Sequence, residues 1–80
     1  MIVEVKLPQL SMGVVDCQVS KWIAAVGERV AQGQLIVEID TDKTVTEIEA
    51  PEAGVLVEIR FPAGAVVGVG ETLGVIDTSM

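Results

Sequence analysis

An 80-residue chain has room for one hydrophobic core and not for two. Half of its residues are hydrophobic, yet only Trp22 and Phe61 are aromatic, and a formal charge of −7 with five basic side chains argues against a surface for nucleic-acid phosphates or an anionic membrane. With no His and a single Cys it can build neither the usual zinc sets nor an internal disulfide, and it lacks the commonest general base.

Fifteen Val, seven Ile and five Thr favour strands, because branched Cβ atoms suit a pleated sheet and lose rotamer freedom in a helix. Val3, Val5 and Leu7 alternate with Glu4 and Lys6, and Pro8 and Gly13 punctuate the next stretch of chain. Gly27 and Gly33 mark turns before a run in which Leu35, Val37 and Ile39 alternate with Ile36, Glu38 and Asp40. Pro51 with Gly54 marks the next turn, after which Val57, Ile59 and Phe61 alternate with Glu58 and Arg60. Pro62 with Gly64, then Gly68 and Gly70, divide the remainder, and Gly74 inside the last strand signals a bulge or a close backbone approach. Period-two alternation puts one face of each strand in the core, so an all-β domain of about eight short antiparallel strands in two covering sheets is expected. No apolar run reaches the ~20 residues that span a bilayer, and the N-terminus lacks a signal-peptide pattern; a soluble intracellular module is expected.

The chain repeats itself. A shift of 37 positions brings Gly27, Val30, Gly33, Ile39, Asp40 and Thr41 onto Gly64, Val67, Gly70, Ile76, Asp77 and Thr78, and pairs Val19 with Leu56 and Trp22 with Ile59. Halves related by a pseudo-twofold axis would make Met80 the counterpart of Lys43, with the lysine and the chain ends at opposite ends of the domain.

Lys43 is a lone cation in the run Ile39–Ile48, between one strand and the next. An amine at a hairpin tip contributes little to stability and is available to another protein. Asp40 and Asp42 lead into that turn. An acid–base carboxylate pair would need a cleft that a small domain without long loops can hardly form; a carrier domain would use Asp40 and Asp42 as a recognition edge, and solvated surface acids are the competing reading for Asp42, Glu47 and Glu49. Cys17, with only Lys21 near it among cations, reads as a small apolar filler, and Trp22 as core.

The run Glu38-Ile39-Asp40-Thr41-Asp42-Lys43-Thr44, with Gln18–Trp22 before it, Ala50-Pro51-Glu52-Ala53-Gly54-Val55-Leu56 after it and the opening Lys6–Met12, resembles a lipoyl domain over essentially the whole chain. The resemblance implies a flattened barrel of two four-stranded sheets with Lys43 at a turn tip, amide-linked to lipoic acid. It implies a swinging arm carrying acyl groups and electrons among the active sites of a 2-oxo acid dehydrogenase complex. The host would be the dihydrolipoamide acyltransferase, with residues 1–80 as the N-terminal module of a longer chain. Asp40, Thr41, Asp42 and Thr44 would be recognition residues, and Leu10, Ser11 and Met12 would lie beside the lysine and help select the partner decarboxylase.

The implied partners are a lipoate-attaching ligase, the 2-oxo acid decarboxylase, the acyltransferase core and dihydrolipoamide dehydrogenase. The isolated domain is expected to be monomeric and not an enzyme, in the cytoplasm or, in a eukaryote, the mitochondrial matrix. The Leu-Ser-Met opening leans toward pyruvate or acetoin complexes. Asp40 stands where the family more often has Glu, Thr44 where Ala is frequent, and Asp16-Cys17 where Glu-Gly is common. The related biotin carriers place Met on both sides of their lysine; Asp42 and Thr44 occupy those positions here, which favours lipoate over biotin. An unmodified interaction domain of the same fold is the remaining alternative.

Overall fold

The computed structural model describes residues 1–9, 15–41 and 44–80. Eight strands occupy them: β1 (Ile2–Lys6), β2 (Asp16–Trp22), β3 (Arg29–Val30), β4 (Leu35–Asp40), β5 (Val45–Glu49), β6 (Gly54–Ile59), β7 (Val66–Gly68) and β8 (Thr72–Asp77). They form two four-stranded antiparallel sheets, ordered β1-β8-β6-β3 and β5-β4-β2-β7, in a flattened barrel of 36 × 19 × 18 Å. The core between the sheets is aliphatic, with Val19, Ile36, Val37, Ile39, Leu56, Val67, Leu73 and Ile76 fully buried.

The two sheets correspond residue by residue. The 37-position shift maps β2, β3 and β4 onto β6, β7 and β8, and a shift of 43 maps β5 onto β1. Paired residues agree: Val45 faces Asp40 as Ile2 faces Asp77, and Ile48 faces Val37 as Val5 faces Gly74. The halves also clasp one another reciprocally. The Gly27 N–H donates to the Leu56 carbonyl at 2.7 Å, and its mate Gly64 donates to Val19 at 2.7 Å. The positive-φ glycines are two repeat pairs, Gly27 (93°) with Gly64 (92°) and Gly33 (85°) with Gly70 (90°), so the residues that dominate the repeat are those whose backbone conformation a side chain would strain.

Three expectations need correction. In β4, a register irregularity between Leu35 and Val37 lets Ile36 and Val37 both enter the core and leaves Leu35 39% exposed. In β6, the irregularity between Leu56 and Glu58 buries Leu56 fully and leaves Val57 only half-buried. Bulges break strict alternation by adding a residue on one strand, a change that a period-two count cannot register. Gly54 and Gly68, expected in turns, lie within β6 and β7.

Gly74 meets its expectation. A Cβ there would stand 2.7 Å from the Glu58 carbonyl oxygen and 2.9 Å from Cη2 of Trp22. Its repeat mate is Val37, so the smallest residue faces the largest ring: Trp22 packs on the core while its Nε1 donates to the Phe61 carbonyl at 2.8 Å. Cys17 is buried as a core filler, as expected.

Candidate functional site: the hairpin around residues 42 and 43

β4 and β5 run as a hairpin whose last ladder pair is Asp40 opposite Val45. Beyond that pair, Thr41 and Thr44 close the strands with three hydrogen bonds. The Thr41 N–H donates to the Thr44 carbonyl at 2.8 Å. The Thr41 hydroxyl donates to the same carbonyl at 2.9 Å and accepts from the Thr44 N–H at 3.2 Å. Only residues 42 and 43 separate the two threonines in the chain. Asp42 and Lys43 themselves lie outside the described residues, as do Leu10, Ser11 and Met12.

Among the described residues this clasp has a counterpart. The Thr78 N–H donates to the Met1 carbonyl at 2.8 Å and its hydroxyl to the same carbonyl at 3.1 Å, Thr78 being the mate of Thr41 and Met1 that of Thr44. The start of β4 lies beside Ala24, whose N–H donates to the Ile36 carbonyl at 3.1 Å, and the Ala25–Glu28 turn leads from there to Arg29, which pairs with Val55 and through it with Asp77. Asp77 and Thr78 therefore lie towards the start of β4, whereas Thr41 follows its end. The expectation from the repeat concerns Lys43 itself, which lies outside the described residues.

Around the hairpin, Asp40 belongs to a row that crosses the outer face of its sheet through register partners: Val45, Asp40, Gln18, Val66. Val45 is 50% exposed and Val66 63%, whereas Asp40 is half-buried. Gln18 is fixed by donating from Nε2 to the Gly64 carbonyl at 3.2 Å. Asp16, Gln18, Asp40, Thr41 and Val66 border a surface recess beside the hairpin. The lysine motif alone does not point to Asp16, Gln18 and Val66 as neighbours of the site, since they reach Asp40 through the β2–β4 and β2–β7 ladders and not through nearby sequence. The 37-position repeat matches equivalent residues of the two halves but does not say which strands pair, so it gives no signal for this row.

Comparison with known proteins agrees with this architecture. The biotin–lipoyl family, described as "Biotin-requiring enzyme", matches residues 3–76. The chain is 46% identical, over 96% of its length, to the dihydrolipoyllysine-residue succinyltransferase component of a 2-oxoglutarate dehydrogenase complex from Cupriavidus necator. It is 35% identical, over 95% of its length, to the acetyltransferase component of a pyruvate dehydrogenase complex from Zymomonas mobilis. In both cases it spans 18% of the relative. The solved lipoyl domain of the 2-oxoglutarate dehydrogenase complex from Azotobacter vinelandii superposes with a TM-score of 0.77 at 37% identity, covering 94% of this chain and 95% of that one. The chain belongs to the biotin–lipoyl family, as a domain of the lipoyl type.

Proposed function

We propose that this chain is a lipoyl carrier domain of the acyltransferase component of a 2-oxo acid dehydrogenase complex, with lipoate amide-linked to Lys43. The observation that carries the reading is the short hairpin: Lys43 falls in the two-residue interval between clasped threonines, of which Thr41 is half-buried and Thr44 exposed, with Val45 exposed beyond it. Exposed Thr44 and Val45 beside that position fit a carboxylic acid joined there as an amide. A disulfide-bearing acyl arm supplies the redox and acyl-carrying chemistry that no side chain of this sequence offers.

The domain's own part is positional. An alkyl amine is protonated at neutral pH, so the ligase must supply the base and an activated lipoyl group, while this chain supplies only the amine and its place in the sequence. Asp40, Thr41, Asp42 and Thr44 then form the edge a ligase reads, joined by Gln18 and Val66. The decarboxylase, the acyltransferase core and dihydrolipoamide dehydrogenase are the partners visited in turn, with Leu10, Ser11 and Met12 contributing to that choice. The isolated domain would be monomeric, without catalysis of its own, in the cytoplasm or mitochondrial matrix. Relatives of both succinyl- and acetyltransferase type support the 2-oxo acid class without favouring the pyruvate lean of the Leu-Ser-Met opening.

Incubation with lipoate ligase, ATP and lipoate is expected to add one lipoyl mass to the wild-type domain and none to Lys43→Gln. A biotin adduct formed in its place under biotin ligase would support the biotin reading, and no adduct from either ligase the unmodified adaptor.

A further inference from the structure

The Thr41 hydroxyl both donates to and accepts from one neighbour, Thr44, across the two residues that contain the lysine. We propose that Thr41 is a positioning residue for lipoylation: its hydroxyl clasp on Thr44 fixes the hairpin neck, so that the ligase meets the lysine amine in one orientation. The inference rests on the reading of Lys43 as the attachment site and adds a role for Thr41 distinct from direct contact with the ligase.

The fold provides its own control. Thr78 makes the corresponding hydroxyl bond to the Met1 carbonyl at the far end, with the same residue type and the same backbone N–H bond beside it. A variant there perturbs a similar exposed clasp, with one hydroxyl bond in place of two, at the chain ends and not beside Thr44. Valine preserves the branched shape of threonine and removes only the hydroxyl. Both clasps lie at the surface, where water replaces a lost partner, so neither variant is expected to unfold the domain.

The test measures kcat/KM of lipoate ligase on wild type, Thr41→Val, Thr41→Ser and Thr78→Val, together with hydrogen exchange of the Thr44 amide. Thr41→Val is expected to be lipoylated roughly fivefold to tenfold less efficiently and to lose Thr44 amide protection, in keeping with one or two exposed hydrogen bonds and the sensitivity of transfer to misplacement. Thr41→Ser should restore both, and Thr78→Val should match wild type. Unchanged lipoylation of Thr41→Val, equal slowing by Thr78→Val, or slowing with Thr44 protection intact would each overturn the proposal. A wild-type domain that takes no lipoate at Lys43 would instead overturn the assignment of the site, while the exchange measurement still decides whether the clasp orders the neck.

Discussion

Gly54 is the repeat mate of Cys17, and it has no space for any side chain: a Cβ would fall 2.5 Å from the Asp77 carbonyl oxygen and 2.7 Å from Cγ2 of Ile76. Both atoms belong to a packed central strand, so Gly54→Ala is expected to cost about 3 kcal/mol, the upper end for overpacking, read as a lower urea midpoint. Gly27→Ala meets nothing within 4 Å, and its penalty is the positive φ alone, on the order of 1 kcal/mol. Similar losses in the two would contradict this division between steric and backbone causes. Asp77 offers a pH test. Hydrogen bonds from the Ser79 hydroxyl and the Ser79 N–H, with a smaller contribution from the Met1 amine, hold its carboxyl below the usual aspartate value. A depressed carboxylate stabilises the fold above its unfolded pKa, and that stability drains as pH falls through the folded pKa, below about pH 4. Asp77→Asn should therefore weaken the acid dependence of the urea midpoint, and an unchanged profile would show that Asp77 contributes nothing to it.

At the scale of elements, the junction between sheets is held by an exchange of volumes. Trp22 at the end of β2 overlies Gly74 in β8, in a repeat whose mates are Ile59 and Val37. Trp22→Phe removes the donor to the Phe61 carbonyl and part of the ring, and is expected to cost about 1–3 kcal/mol by circular-dichroism melting. The Thr41–Thr44 clasp lies at one end of the barrel, so the Trp22 variant should leave lipoylation kinetics unchanged in the folded state. Much of this was legible in the sequence. Alternation around Val3, Val5 and Leu7, the glycine pairs of the repeat and the space demanded by Gly74 all read correctly, because each rests on a local property of one residue or a fixed period. The bulges at Leu35–Val37 and Leu56–Glu58 did not, since an extra residue leaves composition intact and shifts only the phase. The correspondence of β1 with β5 was hidden for a related reason: the connection after β1 is longer than that after β5, so no single shift aligns both halves. The hairpin was legible from the lysine and its flanks, whereas the row through Gln18 and Val66 depends on ladders between distant strands.

Over the whole molecule, duplication accounts for both the shape and the placement of the site. One unit repeated about a pseudo-twofold axis gives two equivalent ends. At one end the chain continues through residues 42 and 43, and at the other Thr78 closes on Met1. Modification is therefore expected at a single lysine, Lys43, out of the three in the chain, Lys6, Lys21 and Lys43. Lys6 and Lys21 lie on strands within 4 Å of Glu4 and Glu38, at 3.7 and 3.9 Å. The most direct measurement is tryptic peptide mapping of the domain after co-expression with lipoate and biotin ligases, both acids being supplied. Trypsin does not cut after an acylated lysine, so the account predicts one uncut peptide of residues 30–60 carrying a single lipoyl group. Cleavage after Lys43 with the group on Lys6 or Lys21, or biotin in place of lipoate, would contradict it.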